Sequence, residues 1–580
     1  MNVRSNSRKL TILAQDPAVR LHGKLAFTQV SIPNEVLADG PIGYRVKVVD
    51  FDASANVLYA PLTFSRDSDS QSQDQFEPNE RWTLAERKRW ERKVLSNQQF
   101  HAQNVYAIVM RTLSRFEFAL GRRVAWSFGG HQINVAPHAF CEANAFYSEE
   151  DQALFFGYFV SSKSGKTVYT CLSHDIVAHE TTHALLDGLR DGFTNPSSPD
   201  QAAFHEGFAD VVALLSIFSL PDIVEAALLP SPVGRMKKGP RMIATSAVSR
   251  DAIINSILLG LGKEFGRETD GARADCLRRS VELKPRVNIL SSPEFQEEHD
   301  RGEVFAAAML RSFLAMWLNR IAKLGKFEGD KYNLEMVIEE GTKAADNLLT
   351  MAIRALDYCP PVDLTFGDYL AALLTADSEA APDDLRFRYR KVIKDTFASY
   401  GIVSTPDKTD QESGQWLEFS DNERITYSQT HYESMLHDKE EVFRFLWENR
   451  EALGITDLGY LRVNSVRPSF RQGPDGFFLR ETVCEYVQVI NMFGAEAGLV
   501  GIKRPDGMPT TQSITVYGGG TLIFDQYGRI KFHVAQRVTD SDNDIERQER
   551  RINYLWERGL LGARKDARNR FASIHRSRVL

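Results

Sequence analysis

The residues best suited to chemistry lie in one short run, His179-Glu180-Thr181-Thr182-His183. On a helix, residues four apart share a face, with their Cβ atoms about 5–6 Å apart. Two imidazoles so placed can ligate one tetrahedral zinc. The glutamate beside them can reach an attacking water without being a ligand. Glu180 is therefore the candidate general base, and His179 and His183 are candidate metal ligands. The flanking Ile176, Val177, Ala178, Ala184, Leu185 and Leu186 suit a buried helix. A buried helix with two hydrogen-bonded histidines is the competing reading, and the next segment weighs against it. Phe204-His205-Glu206-Gly207-Phe208-Ala209-Asp210 supplies a glutamate and, four residues on, an aspartate. A second helix can present Glu206 as the third ligand. Asp210, one turn further, would then orient a ligand imidazole. Three protein ligands leave the fourth position open, which is the catalytic pattern. His205 adjoins Glu206 but points about 100° away on a helix, so it is left out of the site. A metzincin would need Gly and His where Leu186 and Leu189 stand, and a cysteine zinc site lacks its cysteine pairs.

The elements that must position these residues follow from the pattern around them. From about residue 173 to 400 the apolar spacing is helical, with breaks at 230 to 240 and 285 to 293 that are marked by prolines. Upstream, an apolar helix is expected around Val105 to Leu120, then strands near Ile133-Asn134-Val135 and Ala153 to Phe159. Residues 44 to 51 and 57 to 62 flank a polar turn and read as a hairpin. Residues 65 to 80, rich in Ser, Asp and Gln, are expected to form a flexible linker, and 404 to 415 a second one. Beyond that lie a helix near Lys439 to Glu451, strands punctuated by glycines, and a basic tail from Arg564 to Arg578. The predicted organisation is thus a β-rich segment over 1–80, a catalytic domain over 81–403, a linker, and an accessory domain of helices and strands over 416–580.

At 580 residues the chain is too long for one ordinary domain, and roughly two to four are expected. A formal net charge of -7 gives no global pull toward nucleic acid or an anionic membrane. The five cysteines are scattered and odd in number, which fits a reducing compartment and not a disulfide framework. The first residues lead into no apolar signal segment, and the run Val211 to Phe218 is too short to cross a bilayer. These features predict a soluble, cytoplasmic protein with neither membrane nor nucleic acid as a partner.

In these motifs the chain resembles the gluzincin peptidases, especially the thermolysin and fungalysin families, over roughly residues 85 to 400. Asn144-Ala145-Phe146-Tyr147 is similar to the edge strand that binds substrate backbone in those families. The run from Asp175 to Asp187 is similar to their zinc helix, including both flanking aspartates. Glu206 to Asp210 is similar to the helix of the third ligand. His299-Asp300-Arg301-Gly302-Glu303-Val304-Phe305-Ala306 resembles the segment that carries the transition-state histidine. The resemblance implies an α+β, two-lobed core with a mixed-sheet lobe and a helical lobe. It also implies a Zn2+ cofactor, His299 as a second catalytic residue, Asp175 and Asp187 as supports of the zinc helix, and Asn144, Ala145 and Phe146 as substrate contacts. The expected activity is peptide hydrolysis, most simply by an intracellular endopeptidase acting on a peptide or protein. Two alternatives stay open: a gluzincin aminopeptidase, and a degenerate or regulated zinc-binding module whose C-terminal domain recognises a protein partner. The chain departs from the pattern in having no tyrosine between Ala184 and His205, where thermolysin-type enzymes place one.

Overall fold

The computed structural model describes residues 7–561 except 16, 18–19, 22–23, 65–73, 80, 163–164, 191, 194–196, 230–239, 258–279, 281, 328, 474–475 and 477. The core of the first expected linker, the first proline break, part of the 473 to 476 turn and the basic tail therefore lie outside the described residues. The protein is mixed α+β, with one mixed sheet, a large set of packed helices and a separate antiparallel sheet.

The mixed sheet runs in the order Thr167–Tyr169, Ala153–Val160, Ile133–Phe140, Val46–Val48, and Ala145–Ser148 also pairs with Ala153–Val160. Val46–Val48 and Ala153–Val160 both lie parallel to Ile133–Phe140, whereas Ala145–Ser148 is antiparallel to its neighbour. The expected hairpin is realised only at its tip, where Phe51–Asp52 pairs with Val57–Leu58. Val46 and Val48 instead bury their side chains in the larger sheet, with the half-buried Lys47 between them. The N-terminal residues are thus part of the main core and do not stand apart as a segment. Their strand Ser7–Leu13, paired with Phe27–Pro33, contributes Leu10, Ile12 and Leu13 to the same apolar cluster as Val177, Leu185 and Leu186.

Behind the sheet runs the long helix Gln98–Leu120, started by the Asn97 side chain accepting from the Gln99 N–H and stopped by Gly121 in the left-handed conformation. Gly121 is needed there on two counts. Its φ is 67°, and a Cβ would lie 2.1 Å from the Phe470 carbonyl oxygen. The helical part is built from His174–Leu189, Pro199–Phe218, Glu298–Ile321, Leu334–Ala355, Phe366–Ala380 and Tyr389–Ser399. Pro199–Phe218 and Glu298–Ile321 cross backbone to backbone, because a Cβ on Gly207 would come 2.8 Å from the Gly302 carbonyl oxygen. That contact brings the start of the second helix against the middle of the first. Glu298–Ile321 is long and apolar enough to cross a membrane, yet most of it is buried among these helices.

The C-terminal residues form a four-stranded antiparallel sheet, Tyr460–Gln472, Phe478–Phe493, Ser513–Phe524 and Ile530–Gln536. Helix Lys439–Glu448 packs on it with Val442, Phe445 and Leu446, and Asp542–Glu557 follows. Its own clusters are small, and Ile523, Phe532 and Val534 belong to the main core. Buried ion pairs bind it to the helices: Arg190 donates to Glu485 at 2.7 Å, Arg551 to Asp363 at 2.5 Å, and Arg471 bridges Glu481 and Asp357. The 404 to 415 stretch is itself anchored. The Lys408 ammonium donates to the Ala535 carbonyl at 2.9 Å and to Gln536 at 2.8 Å.

Candidate metal centre

Helix His174–Leu189 is amply supported for its position under the sheet. Ser173 precedes it, and Thr181 and Thr182 return their hydroxyls to the Val177 and Ala178 carbonyls at 2.6 and 2.7 Å. Those bonds satisfy two polar side chains within a helix that is buried nearly throughout. The helical register then aims His179 and His183 at one point. Their Nε2 atoms are 2.9 Å apart. Glu206, from the helix begun by Ser198 and Pro199, places Oε2 3.4 Å from His179 Nε2 and Oε1 3.4 Å from His183 Nε2.

The far sides of the two rings decide what the near sides are. His179 Nδ1 lies 2.8 Å from the Asp210 carboxylate, so the proton belongs on Nδ1 and the lone pair on Nε2. His183 Nδ1 lies 2.8 Å from His205 Nδ1, and in the tautomer in which His183 donates to His205 its Nε2 is a lone pair as well. With both inner nitrogens as lone pairs, the two imidazoles and the carboxylate form a group that could hold a metal ion. The donor set of two nitrogens and one carboxylate oxygen is one that zinc takes in catalytic sites. All three side chains are at most 5% exposed, which keeps the mutual electrostatics strong.

Glu180, fully buried, sits on the same helix next to His179. His299 enters from the crossing helix. Its Nδ1 is 3.0 Å from Glu297 Oε1, and the same Glu297 carboxylate caps the helix by accepting from the His299 and Asp300 N–H groups. Burial works against the Glu297 charge, but the His299 side-chain bond and these N–H donors outweigh it and bring the carboxyl down to about 2. With Nδ1 thus engaged, His299 Nε2 is left 3.8 Å from Glu206 and, buried, makes no hydrogen bond within the described protein.

The remaining expected residues sit at varying distances from this centre. Asp175 accepts from the Ser173 hydroxyl at 2.7 Å at the start of the zinc-motif helix. Asp187 accepts from the Tyr147 hydroxyl at 2.9 Å, and that phenol also meets Ser127 at 2.6 Å. Burial, then the Asp187 charge, push the Tyr147 phenol well above its ordinary value, so it acts as a neutral donor that ties the strand to the helix. Asn144, Ala145 and Phe146 lie at or in Ala145–Ser148, which among the described residues pairs with Ala153–Val160 alone and packs beside His174–Leu189. The Asn144 side chain accepts from the Ala145 N–H at 2.9 Å.

His205 is the residue that sequence reasoning set aside. The two helices cross closely enough that a side chain about 100° from Glu206 meets the second imidazole instead of solvent. Its position immediately before a proposed ligand was the available signal. A scan against protein-family models gives no match for this chain, and neither does a comparison with curated proteins.

Proposed function

We propose that the protein is a zinc-dependent peptidase, with a thermolysin-like two-lobed core and an intracellular endopeptidase activity. One observation carries this reading: His179, His183 and Glu206 converge with their tautomers set by partners behind them, while a buried glutamate stands beside the first histidine. Zinc held there would supply Lewis-acid polarisation of the scissile carbonyl and a lowered pKa for the attacking water. Glu180 takes the proton of that water as it attacks and delivers it to the departing amine nitrogen. His299, held through Nδ1 by Glu297, acts as the imidazolium, whose Nε2–H donates to the charge that grows on the carbonyl oxygen. This donor also fills the role left open by the missing tyrosine between Ala184 and His205. An extended peptide adds itself as a strand along Ala145–Ser148, which reads backbone more than sequence and suits cleavage within a chain.

The test is Glu180→Gln. The variant keeps its metal and fold and loses nearly all hydrolysis of internally quenched peptides. Near-normal turnover would remove Glu180 as the base. Running blocked and unblocked peptides in parallel separates this activity from an aminopeptidase, which needs the free amine.

A further inference from the structure

A second group of metal-binding side chains lies inside the mixed-sheet lobe, away from the HExxH centre. His101 stands in the first turn of helix Gln98–Leu120, His138 in strand Ile133–Phe140, and Cys171 in the short turn Thr170–Leu172 that leads into the zinc-motif helix. Their candidate ligand atoms all lie within 4.8 Å of one another, and all three residues are buried. His101 Nδ1 faces His138 Nε2 at 2.7 Å.

The outer nitrogens again fix the inner ones. His138 Nδ1 lies 2.9 Å from both oxygens of Asp50, and His101 Nε2 lies 2.9 Å from the Leu95 carbonyl. Both partners are acceptors, so both outer nitrogens carry protons, and in the neutral rings both inner nitrogens present lone pairs to each other. A metal-bound histidine characteristically hands its other N–H to a carboxylate or a backbone carbonyl, and here each form occurs once. The rings are boxed in by Tyr169, with centroids 4.8 and 5.3 Å away, and by Tyr59 at 5.3 Å. No bulk water is at hand to separate the two lone pairs.

We infer that His101 Nδ1, His138 Nε2 and Cys171 Sγ form a second, structural site for a zinc-class divalent ion. Two imidazole nitrogens and a thiolate are donors of intermediate softness, which suit zinc and disfavour calcium or magnesium. Binding displaces the thiol proton to solvent. The dication is then balanced inside the core by the Cys171 thiolate and the Asp50 carboxylate, so no net charge is buried. The site would join a helix, a strand and the lead-in to His174–Leu189, fixing the approach of the HExxH helix to the sheet. It does not depend on the peptidase reading.

The test uses the full chain, loaded with zinc, freed of excess by gel filtration and assayed for metal per chain by mass spectrometry. Wild type is expected to hold two equivalents. His183→Gln, which disables the HExxH centre, is expected to hold one. Loading the same variant with cobalt should give a thiolate-to-cobalt charge-transfer absorption, because this is the site with a sulfur ligand. Adding Cys171→Ser should abolish that absorption. If the HExxH centre takes no metal, wild type and His183→Gln would each hold one equivalent and share the absorption, and the inference stands. A folded His183→Gln protein with no zinc and no thiolate signal would overturn it. That result would mean that His101 and His138 share a proton beside Asp50. An absorption that survives the added Cys171→Ser would overturn it as well. The wild-type and His183→Gln measurements decide the matter even if the serine variant fails to fold.

Discussion

Replacing His205 with phenylalanine isolates one hydrogen bond behind the metal centre. His205 is 4% exposed, and its ring stacks on that of His183 with centroids 4.9 Å apart and planes 25° from parallel. Phenylalanine keeps a flat, buried, stacked ring at somewhat larger volume, and removes the nitrogen that lies 2.8 Å from His183 Nδ1. The stranded N–H then costs about 1–3 kcal/mol when the imidazole is held in its ligand orientation. Losses of such outer partners typically lower metal affinity by about 10- to 100-fold, or ~1.4–2.7 kcal/mol, so the two routes agree. His205→Phe should therefore bind zinc about 10- to 100-fold more weakly in competition with a chromophoric chelator. Its metal-free urea midpoint should stay near that of wild type. His205→Asn puts an amide oxygen close to where Nδ1 stood and should recover much of the affinity. Wild-type affinity in His205→Phe would refute the tautomer argument, and with it the claim that the inner nitrogens are both lone pairs.

Three further outcomes are expected. Glu206→Ala should lose metal and activity together, whereas His299→Ala should keep its zinc and a near-normal KM while kcat falls about 10²- to 10³-fold; metal analysis with steady-state kinetics reads both, and loss of zinc from His299→Ala alone would exchange the two assignments. His533, pushed down to about 3 by burial and then by the charges of Arg537 and Lys408, stays neutral when folded but takes up a proton near its ordinary value of 6.5 when unfolded. Its contribution is full above about pH 6.5 and falls by roughly 1.4 kcal/mol per pH unit below it, so His533→Gln should flatten the wild-type loss of urea stability between pH 6 and 4, and an unchanged slope would exclude the residue. Arg471→Met leaves Glu481 to Tyr358 and Lys531 and Asp357 to Arg122, so about 1–3 kcal/mol of lost stability is expected from denaturant unfolding; no measurable change would mean that these partners suffice alone.

What the sequence made legible was whatever a local period could encode. His179 and His183 sit four apart on one helix, and Glu206 and Asp210 repeat that spacing on the next, so each helix presents its pair on one face once both segments are helical. The same logic placed the helices over 173 to 400 and the strands near Ile133 and Ala153. What it missed depends on how elements meet. His205 was discarded by a rotation angle that is correct for one helix but says nothing about the second helix lying against it. The boundaries fared similarly. Polar composition marks 404 to 415 as a surface stretch, but nothing local reveals that Lys408 reaches Gln536 or that Arg190, just past the zinc-motif helix, needs Glu485 some 295 residues later. The second cluster shows the limit most sharply. Pairwise cysteine spacing is the signal for a sulfur-bound metal, and Cys171 has no cysteine partner. Its neighbours His101 and His138 come from a helix and a strand 37 residues apart and meet only because the sheet and the long helix pack face to face. A site assembled across three elements leaves no period to read. What it leaves is a pair of buried rings facing each other, each with its outer nitrogen held by an acceptor from another element.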